Sequence, residues 1–250
     1  PTLWSKGYFE VLIKESPEDS GRFFNGEINV QHMKPDRLRV KAEKNAFGDV
    51  FDLGTDGQQL FLRFPIDNVA YVGTADRLDP RKIAGLPIRP DLILQVLAIN
   101  LLPTDLTQFP APTLRYDPES DLHRVAFVEL ARFGPRRLVV TKEVWYSVPE
   151  GDDATPLARR VILNDEAGRP VLVATLARHQ RVEEDGPLVA TRLLLFFPQT
   201  GGKMRMDLEE LLYERGRRGR KSPNERTFVV DPDRTGEDVF DLDLPPPNAP

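Results

Sequence analysis

The residues with catalytic or metal-binding potential are few and scattered. The chain holds three histidines, His32, His123 and His179, and each lies in a run that predicts a strand. None stands at metal-ligand spacing from a second histidine or a carboxylate. The motifs of zinc peptidases, serine hydrolases and phosphate- or dinucleotide-binding loops are absent. The sequence therefore predicts no catalytic residue, no metal site and no cofactor.

Carboxylates are plentiful but fall where solvent would cover them. One group is Glu183-Glu184-Asp185, and a second is Asp117, Glu119 and Asp121. Both groups lie in predicted loops, where charged side chains are usually hydrated. No pair among them can be assigned as a general acid and a general base.

The strongest local charge feature is a basic run near the C-terminal end. It could contact phosphate groups, or it could be an exposed glycine-rich connection. The net charge of the chain is −5, which argues against a general nucleic-acid binder and favours an anionic lipid surface as the partner. The candidate headgroup contacts are Arg215, Arg217, Arg218, Arg220 and Lys221.

Composition limits the class of protein further. The chain has no cysteine, so disulfides and thiolate metal sites are excluded. No apolar run approaches the ~18 residues of a membrane-spanning helix. The sequence begins at Pro1, close to its first predicted strand, and we expect a trimmed mature form from which a signal peptide and any lipid anchor have been removed. We also expect a monomer.

Most of the chain predicts short strands. Leu38, Val40 and Ala42 alternate with charges, which is typical of a half-buried strand. Asp56-Gly57 lies between two apolar runs and predicts a tight hairpin. Residues 1–230 are expected to form one domain, and residues 231–250 an acidic, proline-rich tail that is extended or disordered. Asp207–Arg215 fits either a strand or a helix.

The exception is an apolar run between Pro90 and Pro103. Pro90 suits the first turn of a helix, Asp91 suits its positive end, and Pro103 would stop it, so the run predicts a helix over residues 90–102. A short helix that is apolar on all sides should be buried. It could fill an ordinary core or cover an apolar cavity. The predicted fold class is mainly β: one strongly curved antiparallel sheet, forming an unclosed barrel, with this helix in or over the concave face.

The order of several motifs carries a resemblance to a known family. The motifs are Gly26-x-x-x-Val30, Pro35, Arg39, Asp56-Gly57, Leu60, Pro65, Val69-x-x-x-Gly73, the run from Gly85 to Leu92, Gly168-Arg169-Pro170 and Gly186-Pro187-Leu188. Together they resemble the bacterial lipoprotein-localisation carriers and acceptors, the LolA/LolB-like proteins. The resemblance implies an unclosed eleven-stranded barrel whose cavity holds acyl chains of lipoproteins, in the periplasm or at the outer membrane. The loop Glu15–Gly21 is polar, so the membrane-inserting loop of the acceptors is not expected here.

Three functions remain open at this point. The first is a non-enzymatic envelope protein that binds lipid or an acylated lipoprotein in an apolar cavity, with contacts from Leu92, Ile93, Val96 and Leu97 on the helix and walls from Phe64, Tyr71, Trp145 and Tyr146. The second is a scaffold with a self-filled core that works through an edge strand or the basic run. The third is an enzyme, which would need polar groups converging inside the concave face.

Overall fold

The computed structural model describes residues 2–33, 36–44, 48–74, 88, 90–97, 109–131, 136–149, 155–182, 186, 188–213, 227–229 and 236–243. Strands dominate this part of the chain. They are β1 Thr2–Ile13, β2 Arg22–Met33, β3 Arg37–Lys44, β4 Gly48–Thr55, β5 Gln59–Phe64, β6 Val69–Thr74, β7 Ala111–Asp117, β8 Leu122–Leu130, β9 Leu138–Ser147, β10 Ala158–Asn164, β11 Pro170–Arg181, β12 Leu188–Phe197, β13 Gly202–Tyr213 and β14 Asp238–Asp241. A 3-10 turn spans Pro65–Asp67, and one α-helix, α1, spans Pro90–Leu97.

All fourteen strands belong to one sheet, in the order β14-β6-β5-β4-β3-β2-β1-β13-β12-β11-β10-β9-β8-β7. Neighbours pair antiparallel except β14, which lies parallel to β6. The first six strands run outward from β1 towards one end, and β13 back to β7 run outward towards the other. Within the described residues the two end strands do not pair with each other, so the sheet is open, which confirms the predicted fold class. The strand number exceeds the eleven that the family resemblance implied.

The two halves of the sheet join where β1 pairs with β13. The register shifts between Lys6 and Gly7, so this seam carries a bulge. A Cβ at Gly7 would collide with the carbonyl oxygen of Asp207. Only glycine lets the two backbones approach this closely.

The hairpin predicted at Asp56-Gly57 is present. The Asp56 carboxylate accepts hydrogen bonds from the backbone N–H groups of Gln58 and Gln59 at 2.9 and 2.8 Å. Gly57 has a φ of 96°, which a residue with a side chain rarely adopts. These hydrogen bonds form an Asx-type turn, which fixes the register between β4 and β5.

One face of the sheet, here called the inner face, carries the core. Its buried side chains come from both halves and form a single contact cluster. Because strands far apart in the sheet contribute to one cluster, the sheet must curve around it. The cluster includes Phe9, Ile28, Val40, Phe51, Leu62, Val144, Leu172, Leu195 and Met206. The opposite side is called the outer face.

Helix α1 lies against the inner face. Leu92, Ile93 and Val96 are buried members of the core cluster, and the helix packs on β4 and β5. The helix therefore occupies the concave side, as predicted. It is observed to Leu97; residues 98–102 of the predicted helix lie outside the described residues. None of the helices in the described part has the length and apolar character needed to cross a membrane.

The structure shows the secondary structure of two C-terminal segments. Strand β13 continues to Tyr213, so the first seven residues of Asp207–Arg215 are strand rather than helix. Part of the predicted tail joins the sheet, because Asp238–Asp241 pairs with Val69–Val72 of β6. That stretch is extended, but it is an ordered edge strand rather than a free tail.

Candidate functional site

A row of apolar residues, each the cross-strand partner of the next, crosses the inner face. The exposed fraction along this row shows where the inner face becomes accessible to solvent. The row runs through cross-strand partners from the edge strand β7 to the centre of the sheet: Leu114, Val125, Val144, Val161, Ala174, Leu195, Met204 and Val11. Leu114 is 68% exposed, Val125 is half-buried, and Val144 and Val161 are 6% and 4% exposed. The inner face is therefore an apolar surface that opens towards β7.

A second row repeats the pattern one step along the strands. It joins Tyr116, His123, Tyr146 and Ala158. Tyr116 is 54% exposed, while Tyr146 is half-buried and packs against the core. Burial raises the pKa of the Tyr146 hydroxyl. Phe109, two residues before β7, is also exposed, so aromatic surface faces solvent at this end of the sheet.

A third row places a lysine on this face. Lys142 of β9 lies between Phe127 of β8 and Leu163 of β10. Its Nζ stands 5.9 Å from the centroid of the Phe127 ring. Phe127 and Leu163 are buried core residues, and burial lowers the pKa of the lysine. An ammonium group thus lies between buried apolar side chains on the inner face.

The predicted cavity residues divide between the two faces. Phe64, Leu92, Ile93 and Val96 belong to the core cluster. Tyr71, Leu97 and Tyr146 pack against it from its margin. Trp145 does not join them. Its cross-strand partners are Arg124 and Arg160, and it lies on the outer face, since strand residues one apart point to opposite faces.

Even on the inner face, the predicted residues lie at two distant places. The helix residues, Phe64 and Tyr71 are at the β4–β6 end, whereas Tyr146 is at the β8–β10 end. Tyr71 stacks on Phe240 of β14 with ring centroids 5.5 Å apart, and burial, then the charges of Asp67 and Glu15, raise its pKa. The β4–β6 end is filled by the protein's own side chains. The margin near β7 is where apolar surface remains accessible.

The outer face near β7 carries an arginine-rich patch. Arg124 Nη2 donates to Glu143 Oε1 at 2.6 Å, and Trp145 Nε1 donates to Glu143 Oε2 at 3.3 Å. The guanidinium groups of Arg124 and Arg160 stand over the Trp145 ring at 5.6 and 5.9 Å. A shallow pocket of about 230 Å³ adjoins this patch, lined by Thr113, Arg115, Arg124, Ala126 and Val140. The tryptophan is therefore held in a polar stack and is not available to an apolar cavity.

The outer face near β6 is covered by the chain itself. Asp52 is fully buried and accepts from Arg39 Nε and Nη2 at 3.0 and 2.7 Å. Arg63 lies 3.5 Å from the same carboxylate and makes two 2.8 Å hydrogen bonds to Glu237. Arg39 also donates to the carbonyl of Thr227 at 2.8 Å. This buried ionic network ties the C-terminal segment to the sheet.

The remaining candidate groups do not form a catalytic site in the described residues. The three histidines lie in β2, β8 and β11, which are not neighbours. Burial and the nearby Arg159 lower the pKa of His179. Asp117 accepts from Ser120 and Asp121 from Tyr116, so these carboxylates hold the β7–β8 turn. No group of three or more histidine, aspartate or glutamate residues there could hold a metal ion.

Some sequence predictions concern other parts of the chain. Arg215, Arg217, Arg218, Arg220 and Lys221 lie outside the described residues, as does Glu183-Glu184-Asp185. Their proposed roles stay predictions.

Two features of the site were not predicted from the sequence. Lys142 could have been found, because Lys142, Val144 and Tyr146 share one parity of their strand and only the lysine among them is charged. The exposed margin at Leu114 could not have been predicted, because β7 is an end strand only by virtue of the strand order, which the sequence does not give.

Comparison with known proteins yields structural likeness alone. No protein-family model and no curated protein matches the sequence. Among solved structures, a domain from Vibrio parahaemolyticus named for outer membrane lipoprotein sorting is similar at a TM-score of 0.52 and 11% identity, covering 94% of this chain and 92% of that one. A LolA superfamily protein from Nitrosomonas europaea has a TM-score of 0.51 at 11% identity, with 92% and 90% covered. A DUF1329 family protein from Desulfovibrio piger has a TM-score of 0.52 at 13% identity, with 86% of each chain covered. Identities this low show the fold alone: the chain has the open-barrel fold of LolA superfamily proteins.

Proposed function

We propose that this protein is a non-enzymatic carrier of the cell envelope that binds the acyl chain of a lipid or of an acylated polypeptide on its inner face. The observation that carries the proposal is the row from Leu114 to Val161, which passes from 68% to 4% exposed without a polar side chain. An extended hydrocarbon chain gains free energy by covering such a surface, at roughly 0.8 kcal/mol per buried methylene.

The likeness in fold supports the same function. Two of the similar structures carry names that refer to lipoprotein sorting or to the LolA superfamily. A periplasmic or outer-membrane-associated location, with an anionic membrane surface as a further contact, belongs to the proposal for the same reason. Apolar binding sites are generally lined by hydrophobic and aromatic groups with few polar ones, and the β7–β9 margin has that composition.

The second candidate is a scaffold with a self-filled core. It is favoured by the β4–β6 end, where Leu92, Ile93 and Val96 pack on the sheet with at most 3% exposure. In that case the outer edge of β7, which pairs with none of the described strands, would bind another polypeptide strand. The two candidates place their ligands on different surfaces, the inner face and the backbone edge.

The test is lipid binding by two tryptophan variants. Val125→Trp fills the half-buried position next to Leu114, and Thr175→Trp places the same bulk at an exposed position of the outer face. Native mass spectrometry after incubation with mixed phospholipids and fatty acids should show lipid adducts on the wild type and on Thr175→Trp, and at least tenfold fewer on Val125→Trp. Equal adducts on both variants, or none on the wild type, would contradict the proposal.

A further inference from the structure

Lys142 is placed where an unpaired charge is costly. It stands on the inner face between the buried side chains of Phe127 and Leu163, and the next residue inward on its own strand face is the buried Val144. Removing an ammonium group from water without a counter-ion is unfavourable. A carrier that needed only an apolar surface would hold an apolar residue there.

Several other described cations of the sheet have acceptors. Lys6 and Lys41 hold carboxylates at 2.6 and 2.8 Å, and Arg39 and Arg63 share the buried Asp52. Lys142 makes no hydrogen bond or ion pair within the described residues. In that part of the chain its compensating contact is the face of the Phe127 ring, 5.9 Å from Nζ. A cation–π contact of this kind offsets only part of the lost hydration.

The position also fits the geometry of a bound chain. The row of Lys142 lies beside the row that runs from Leu114 to Val161, on the same face of the same strands. A hydrocarbon chain along the apolar row would enter past the exposed Leu114 and Tyr116. An anionic group attached to it could then reach the ammonium, which has three donors and no acceptor.

We propose that Lys142 recognises the anionic head of an acyl-chain ligand, so that the protein selects acidic amphiphiles over neutral ones. This inference rests on the proposed function, since it needs the acyl chain on the inner face. The recognised group is a carboxylate or a phosphate at the end of a hydrocarbon chain. A charge-assisted hydrogen bond from the lysine would replace the water it has lost.

The experiment compares three probes with one saturated chain: hexadecanoic acid, hexadecanol and hexadecyl phosphate. Each is titrated against the full chain by displacement of a neutral fluorescent lipid. Hydrogen bonds to charged groups contribute about 1.5 to 3 kcal/mol, so the wild type should bind the acid or the phosphate roughly ten- to a hundredfold more tightly than the alcohol. The stronger of the two anions identifies the head group.

Two variants separate the lysine from the fold. Lys142→Met should bind all three probes with the affinity of the alcohol, while Lys142→Arg should keep part of the preference for the anions. The matched control is Lys203→Met, because Lys203 also stands over a phenylalanine ring, at 6.0 Å from Phe196, but is exposed on the outer face. It should bind like the wild type.

The outcomes distinguish the two proposals. If the wild type binds acid, phosphate and alcohol equally, or Lys142→Met keeps the preference for anions, the role of Lys142 is overturned and the acyl-chain site stands. If no probe binds the wild type, the proposed function fails and the inference fails with it. Binding of hexadecanol by Lys142→Met shows that this variant is folded.

Discussion

The two ends of the sheet are built from the same kind of strand but differ in whether further parts of the chain cover them. At the β6 end, β14 adds a parallel edge strand and the outer face is closed by the C-terminal segment over Asp52. At the β7 end no further strand pairs within the described residues, and Leu114 and Tyr116 are each more than half exposed. One end uses the chain's own residues as cover, and the other leaves apolar surface uncovered.

The two ends also differ in whether their buried charged groups have partners of opposite sign. Near β6, every charged group of the network has a partner of opposite sign, and the side chains of Asp52 and Glu237 are 0% and 4% exposed. Near β7, the half-buried Lys142 has none within the described residues. Satisfied buried charges fix a structure, whereas an unsatisfied one is a cost that a ligand can relieve. The first end therefore stabilises the fold, and the second is the end at which the proposed ligand would bind.

The largest effect should come from removing the centre of the network at the β6 end. Asp52→Ala leaves Arg39 and Arg63 without their shared carboxylate, and the free energy of unfolding should fall by about 3 to 5 kcal/mol. Urea denaturation followed by circular dichroism measures it. The control is Glu43→Ala, whose carboxylate accepts from the partly exposed Lys41 and should contribute below about 1 kcal/mol. Similar losses of unfolding free energy in both variants would show that the buried network stabilises the fold no more than an exposed ion pair does.

A smaller loss is expected where the C-terminal segment attaches. Glu237→Ala removes two hydrogen bonds from Arg63, which keeps Asp52 at 3.5 Å. Because one partner remains, the free energy of unfolding should fall by about 2 kcal/mol. Limited proteolysis should then cleave the C-terminal segment faster than in the wild type. Unchanged cleavage would mean that β14 is held by its backbone pairing alone.

Next comes the aromatic contact at the same edge. Phe240→Ala removes the stack on Tyr71, and a loss of about 1 kcal/mol is expected because Phe240 is half exposed. Val239→Ala, at the neighbouring position of β14 but on the other face, is the control and should change stability by less than about 0.5 kcal/mol. Chemical denaturation of the pair measures the difference. If Val239→Ala costs as much, strand propensity rather than the ring contact holds the edge.

The sequence predicts one of these two ends better than the other. Alternation in Leu38, Val40 and Ala42, the Asp56-Gly57 turn and the apolar run after Pro90 are local signals, and each corresponds to an observed element. They lie in the half of the sheet that ends at β6. The C-terminal segment escaped prediction because its pairing with β6 spans about 170 residues, and composition favours an extended or disordered tail there.

At the β7 end, the sequence predicts the strands but not the face of the sheet on which each side chain lies. Trp145 and Tyr146 are adjacent, so in a strand only one of them can face the core. Both were predicted to line the cavity. The partners of Trp145, Arg124 and Arg160, could have identified its outward position only with the strand pairing known. Local pattern thus predicts strands, while register decides which side chains meet.

The smallest effect, and one of opposite sign, is expected at Lys142. Lys142→Met replaces a desolvated ammonium with an apolar side chain of similar length, and because the site is only half-buried the gain in unfolding free energy at neutral pH should be about 0.5 kcal/mol. Lys203→Met on the outer face should give no gain. Urea denaturation of both variants beside the wild type measures this.

The pH dependence of that gain tests its cause. Burial lowers the pKa of Lys142 in the folded state from its ordinary value of 10.5, so the unfolded chain holds the proton more tightly than the folded one. The penalty on the wild type is therefore complete below the lowered folded-state pKa and disappears as the pH rises through 10.5, because both states are then neutral. The advantage of Lys142→Met should shrink across the same interval. An advantage that persists at the alkaline end would trace the gain to packing of the methionine rather than to the unpaired charge, and the contrast between the two ends of the sheet would lose its electrostatic basis.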